Sequence, residues 1–418
     1  MNLKPISRQL PLLVILAISF LGTVGMTIVF PVLPFLLRPY VANDGDLALW
    51  VGIIEAVYAA CALLSAPILG SLSDRLGRKP VLVVSLIGST IGWVLFGIGG
   101  ALGVFLVARV IDGFTAGDMS VSFAYLADIT EPEDRAKRFG LAGAVGGVGT
   151  LIGPALGGLL SPINLALPVF VAAALTAVTA VLALVVLPES LDPARRSSGV
   201  ALGDLNPFRP LVGVVRRVEL RPLFIALALL GVTMGVVASN VSVLALDAVA
   251  WGPVQIGLLL SGVGVVDIVV QGVLLGVFLK VAGERGVVLA GFAGIGVATG
   301  LMGLVGSLVP SALLLVTAGL LFAMTEGATT ATLNGLLSRS VSDDEQGWLA
   351  GGMSAIGSAT QLVVPILAGF LYAQVAPSAP YALATGAAVA AIAILAWRLP
   401  APARDARPIE PAPTTEPA

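Results

Sequence analysis

Histidine is absent from this 418-residue chain, and cysteine occurs once. Without histidine there is no Ser-His-Asp triad and no imidazole-bound metal, and a single thiol builds neither a cysteine-rich metal site nor an internal disulfide. Cys61 lies inside an apolar run, where it reads as a small packing residue. Charge is scarce as well: Asp, Glu, Lys and Arg together make up 11% of the chain. No glycine-rich loop ends in lysine and Ser or Thr to cradle a nucleotide. Neither an enzyme nor an ATP-driven pump is expected, and no cofactor or metal is called for. The net charge of -2, with basic residues scattered between apolar runs, points away from nucleic acid.

What the chain has in abundance is apolar sequence. Hydrophobic residues make up 57% of it and the mean hydropathy is +1.03, outside the range of soluble domains. A bilayer core about 30 Å thick needs roughly 20 helical residues to cross. The sequence divides into twelve such spans, among them Leu10 to Pro34, Leu102 to Leu126 and Val254 to Phe278. The first is too long for a signal-peptide core and has no small-residue cleavage site, so it reads as a retained helix. The division predicts an all-α membrane protein: a six-span bundle over 1–187, a linker over 188–221, a second bundle over 222–399 and a disordered tail over 400–418.

Basic residues fall in alternate loops: Lys4 and Arg8, then Arg75, Arg78 and Lys79, then Arg135, Lys137 and Arg138, then the linker arginines, Lys280, Arg285 and Arg339. Positive loops stay in the cytoplasm, which predicts a multi-pass plasma (inner) membrane protein with both termini inside. Only Arg38 falls on the opposite side, and only Arg109 falls within a span.

The densest polar feature is Gly70-Ser71-Leu72-Ser73-Asp74-Arg75-Leu76-Gly77-Arg78-Lys79, read as the loop between the second and third spans. It fits the pattern G-x-L-x-D-R-x-G-R-[KR] and resembles that loop of the major facilitator superfamily. A degenerate copy lies 206 residues on, where Gly283, Glu284 and Arg285 match Gly77, Arg78 and Lys79. A shift of 211 places Pro154 and Gly158 over Pro365 and Gly369, so the two halves read as a duplication. The fifth span carries Gly149, Gly153, Pro154, Gly157 and Gly158. Small residues there allow close helix packing, while G-x-x-x-G-P-x-x-G-G resembles the signature of the superfamily's exporters.

Across nearly its whole length the chain is similar to the tetracycline/proton antiporters and their multidrug relatives. The anchors include Pro31-Val32-Leu33-Pro34, Arg78 through Leu82, Ala127-Asp128, Gly283-Glu284-Arg285 and Leu337-Ser338-Arg339. The resemblance implies a twelve-helix fold, proton-driven export of a lipophilic small molecule by alternating access, and a single working chain. It also implies a gate in which Asp74 meets the amino end of the eleventh helix and Arg78 meets Asp128, with Arg75 and Lys79 beside them. The membrane carboxylates of the tetracycline exporters appear here as Gly22, Gly92 and Ile295, so tetracycline is not the expected substrate.

Five carboxylates fall well inside spans: Glu55, Asp112, Asp118, Asp267 and Glu326. A charged carboxylate in hydrocarbon is costly and burial favours its neutral acid, the property a proton carrier requires. Arg109 and Asp112, three residues apart, share one helix face and can neutralise each other. Arg109 and Gly113 also resemble a family motif whose arginine influences proton affinity. Asp118 lies about half a turn around from Arg109, and Glu55 nearer the outer interface, so both rank lower as functional groups. Glu326 has no Lys or Arg within four residues and is the favoured proton carrier, with Asp267 next. The alternatives are proton-coupled nutrient uptake, which the fifth-span motif disfavours, and a non-transporting sensor or scaffold, which has no need to bury acids.

Overall fold

The structure is a computed structural model that describes residues 5–197, 206 and 217–398. The expected disordered tail, most of the linker and Lys4 lie outside these residues.

Every regular element among the described residues is helical. Within hydrocarbon each backbone N–H and C=O must be satisfied inside its own segment, so apolar runs of this length have little alternative. Ten helical stretches are long and apolar enough to cross a membrane. One of them, Pro253–Val305, is two crossings in sequence, and the fourth predicted span is missing from the ten because it is broken. The twelve expected passages are therefore present in a multi-pass membrane protein.

The helices are α1 (Pro5–Thr27), α2 (Asp44–Leu76), α3 (Arg78–Ile98), α4 (Leu102–Phe114), α5 (Asp118–Asp128), α6 (Arg135–Leu160) and α7 (Leu167–Val186). They continue as α8 (Arg221–Val249), α9 (Pro253–Val269), α10 (Leu275–Val305), α11 (Ala312–Arg339), α12 (Gln346–Gln374) and α13 (Ala379–Arg398).

Four details differ from the expectation. The first span ends as a helix at Thr27 and continues through turns into a short helix, Leu33–Leu37, because prolines 31 and 34 remove backbone donors. The fourth span breaks at 115–117, where the Thr115 hydroxyl returns to the carbonyls of Ile111 and Asp112. Between α9 and α10 the chain takes a π turn, Val270–Leu274. The supposed loop at Gly70 is helical: α2 runs on to Leu76 and only Gly77, at φ 111°, turns the chain. Gly283, its partner in the repeat, also has positive φ, 65°, which glycine alone adopts without strain.

Within the first half α1 packs on α6 and α7, and α3 on α4 and α7; within the second, α10 packs on α11 and α13, and α8 on α12 and α13. Two helix pairs make the main contact between the halves, α2 with α12 and α6 with α9, and α8 also touches α2. Their close approach lies at one end only. A Cβ added at Gly52 would strike the carbonyl of Pro365, and one at Gly45 would lie 3.0 Å from the Cα of Ala373. Across the other pair, Gly257 meets the carbonyl of Pro154, Gly158 lies against Pro253, and the Ser261 hydroxyl donates to the carbonyl of Leu151 at 2.9 Å. The two duplicated prolines thus make equivalent seams. All these contacts lie at the end of the bundle remote from the basic loops. Towards the basic end Gly70, Gly347, Gly143 and Gly272 face open space, so the molecule is sealed at its far end and parted at its basic end.

Candidate functional site

Where the halves part there is a cavity of about 320 Å³. Most of its wall comes from the first half, with Gly235 and Ala238 of α8 and Gln361 and Pro365 of α12 opposite. The lining is mainly apolar, and three ionisable side chains interrupt it: Glu55, Arg109 and Asp112.

Arg109 is the centre of this group. Its Nη1 donates to Asp112 Oδ2 at 3.1 Å, and its guanidinium carbon lies 4.5 Å from the ring centroids of both Trp93 and Phe96 and 5.7 Å from that of Tyr58. Weak hydration and a flat face suit a guanidinium to such an aromatic cage. Asp112 is buried, and Gly92 explains where its side chain goes: a Cβ at position 92 would lie 2.9 Å from that of Asp112. The missing side chain on α3 is the room that the acid on α4 occupies. Glu55 faces the same cavity within electrostatic reach of Arg109, one helical turn below the Gly52 seam. Hydropathy does not tell which way Glu55 faces, because α2 is apolar on nearly every face.

Asp267 and Glu326 form a different group in the second half, outside this lining. Asp267 accepts a hydrogen bond from Gln271 at 2.8 Å and lies against Gly327, while Glu326 accepts one from the Thr330 hydroxyl at 2.6 Å. Among the described residues neither acid forms a salt bridge. The side chain of Asp118 lies outside the described residues.

The remaining residues singled out above fall into two sets. Gly149 and Gly153 pack against α1 at Phe20 and Thr27 and Gly157 against Ile28 just beyond its end, while Pro154 and Gly158 face α9. The fifth-span motif therefore holds one helix tightly to its own half and to the opposite one. At the basic end Arg78 bridges Asp74 at 2.6 Å and Asp128 at 3.1 Å. Arg75 is exposed, and the backbone N–H groups of Arg78 and Lys79 donate to Glu189, at 2.8 and 3.2 Å. That carboxylate caps the open amino end of α3, where the helix dipole favours negative charge. Sequence reading passed over Glu189; its signal is an acid directly after the sixth span, beside Pro188, whose carbonyl accepts from Tyr125.

At the start of α12 a second cluster was also missed. Arg217 pairs with Glu345 and lies 5.1 Å over the ring of Trp348. Arg217 holds the Glu345 carboxyl below the usual carboxylate range and is itself pushed up. The second basic loop has Glu284 paired with Arg339, and Arg285 donating to the carbonyl of Ala396 at 2.9 Å.

Comparison with known proteins places this geometry in context. The chain matches the Major Facilitator Superfamily over residues 15–246 and 223–417. It is 35% identical over 365 residues to the class C tetracycline resistance protein of Escherichia coli, covering 87% of this chain and 89% of that one. Identity to multidrug resistance protein 1 of Bacillus subtilis is 28% over 401 residues, covering 94% and 98%. Among solved structures, a bacterial homologue of the human lysosomal transporter Spinster, described as inward-facing and unoccupied, aligns with a TM-score of 0.69 at 16% identity, over 95% of this chain and 96% of that one.

Proposed function

Because the chain belongs to the Major Facilitator Superfamily, we propose that it exports a lipophilic small molecule in exchange for protons, by rocking two six-span bundles about a central cavity. One observation carries the reading: three ionisable side chains converge on an apolar cavity that is sealed at one end and parted at the other. The bundles are taken as 1–187 and 222–399, with 188–221 as the linker, and one chain forms the whole cavity, which supports a working monomer. The basic loops mark the parted end as cytoplasmic, with both termini on that side. Export is favoured over uptake by the fifth-span motif and by relatives named for resistance to tetracycline and to multiple drugs.

Protons and substrate would compete through the carboxylates. Glu55 faces the cavity and has no ion pair of its own among the described residues, so a bound organic cation would displace its proton directly. Glu326 is outside the cavity lining and has no cationic partner among the described residues; as the proton carrier favoured from sequence it would act through the rocking of its bundle. Asp112 and Arg109 would set the field that both experience. Asp267 and Asp118 are the secondary candidates. Gating would fall to Asp74, Arg75, Arg78, Lys79 and Asp128. With glycines at positions 22 and 92 and isoleucine at 295, the reading retains a substrate other than tetracycline.

In proteoliposomes with an imposed proton gradient, movement of a fluorescent lipophilic cation should follow the gradient and collapse on addition of a protonophore. Movement that ignores the gradient or requires ATP would sink the antiport reading. Glu55→Gln and Glu326→Gln then separate the two proton routes: the variant with the flatter pH profile identifies the carrier.

A further inference from the structure

The seam between α2 and α12 fixes a register that extends beyond the contacts now made. These helices run antiparallel, pairing Gly52 with Pro365, and Gly45 with Ala373 about two turns further out. Eighteen residues from Gly52 towards the basic end lies Gly70, and eighteen back from Pro365 lies Gly347. Both are glycines facing open space, about 27 Å from the seam at 1.5 Å per residue. Ala60 and Gly357, eight residues from the same starting points, also correspond, and Gly357 too faces open space. The other pair behaves alike: eight residues beyond Leu151 and Gly264 come Gly143 and Gly272, again open. Small residues at matching positions let backbones approach once the basic end closes.

The same stepping brings Asp74 to position 343, in the turn Asp343–Glu345. An acid would then meet a run of three acids, a costly approach. A cation is already seated there. Arg217, from the end of the linker, is paired with Glu345 and stacked over Trp348 at the head of α12. Asp74 keeps 54% of its side chain exposed while bonded through Oδ1 to Arg78, and among the described residues nothing pairs with its second oxygen.

We propose that Arg217 is the counter-charge for Asp74 in the state closed at the basic end, forming a bond between the halves across the Gly70 and Gly347 approach. The proposal rests on the rocking motion argued above. It makes the linker's last turn a component of the gate as well as a tether. Gly70→Cys with Gly347→Cys, in a Cys61→Ser background, should form a disulfide in membranes under mild oxidation, since closure brings the two Cα atoms into the 4.4–6.8 Å range a disulfide needs. Gly70→Cys with Gly357→Cys, about 15 Å out of register, should not. Adding Arg217→Gln should lower the cross-linking yield and slow export several-fold, and Arg217→Lys should restore most of both. Asp74→Asn combined with Arg217→Gln should be no slower than the slower single variant. Absence of the 70/347 disulfide, a yield indifferent to Arg217→Gln, or effects that multiply in the double variant would overturn the proposal. Cross-linking that depends on Arg217 alongside flux indifferent to the proton gradient would support this gate while overturning the antiport reading.

Discussion

The two halves repeat one another in backbone and differ in charge. Gly77 and Gly283 turn the chain at equivalent places, and Pro154 and Pro365 present their carbonyls to glycines of the opposite half at equivalent seams. The ionisable groups do not repeat. In the first half an arginine is caged by aromatic rings and paired with a buried acid; in the second, two acids lie near hydroxyl and amide groups with no ion pair among the described residues. Duplication therefore preserved what holds the helices together, which is set by glycine and proline, and left the titrating groups free to specialise.

The strongest way to break that contrast is Asp112→Ala. It removes the bonded partner of Arg109 and leaves only Glu55 within electrostatic reach, and removing one partner of a buried pair costs about 3–5 kcal/mol. A large fall in thermal stability and loss of export are expected; near wild-type stability would mean that the pair is not structural. By the same logic Glu326→Gln, which breaks no ion pair and retains an acceptor for Thr330, should cost less than about 1 kcal/mol. Its effect belongs instead in the pH dependence of transport.

The loops offer a sharper test. Arg78 reaches Asp74, Asp128 and the Ser73 hydroxyl, whereas Arg285 reaches a single backbone carbonyl. Arg78→Ala should slow export about tenfold, equivalent to about 1.4 kcal/mol, with substrate binding in detergent nearly unchanged. Asp74→Asn should act in the same direction. Arg285→Ala should change the rate less than about twofold, and equal effects at the two loops would erase the asymmetry. Glu189→Ala uncaps α3 at a cost of about 1 kcal/mol, measurable as a shift in unfolding temperature.

The spans were legible because apolar length is a one-dimensional property, and a run such as Pro253–Val305 cannot be mistaken for a soluble segment. Facing is a two-dimensional property, and hydropathy is nearly silent on it when every side of a helix is apolar. That is why Glu55 ranked low and yet lines the cavity. It is also why the break at 115–117 was not foreseen: Thr115, Ala116 and Gly117 are small enough to pass for helix. Glu189 and Arg217 were missed for another reason, since their partners are distant in sequence and sit at helix ends that composition does not mark.

Among the described residues, Trp93 lies beneath Arg109 in the cavity and Trp348 beneath Arg217 at the head of α12. An indole stacked on a cation differs in emission from one in lipid. Replacing Trp50, Trp251 and Trp397 with phenylalanine would leave two native fluorophores, one reporting whether the cavity is occupied and the other whether the gate has moved. The transporter thus contains its own optical readout, with no attached dye to disturb either position.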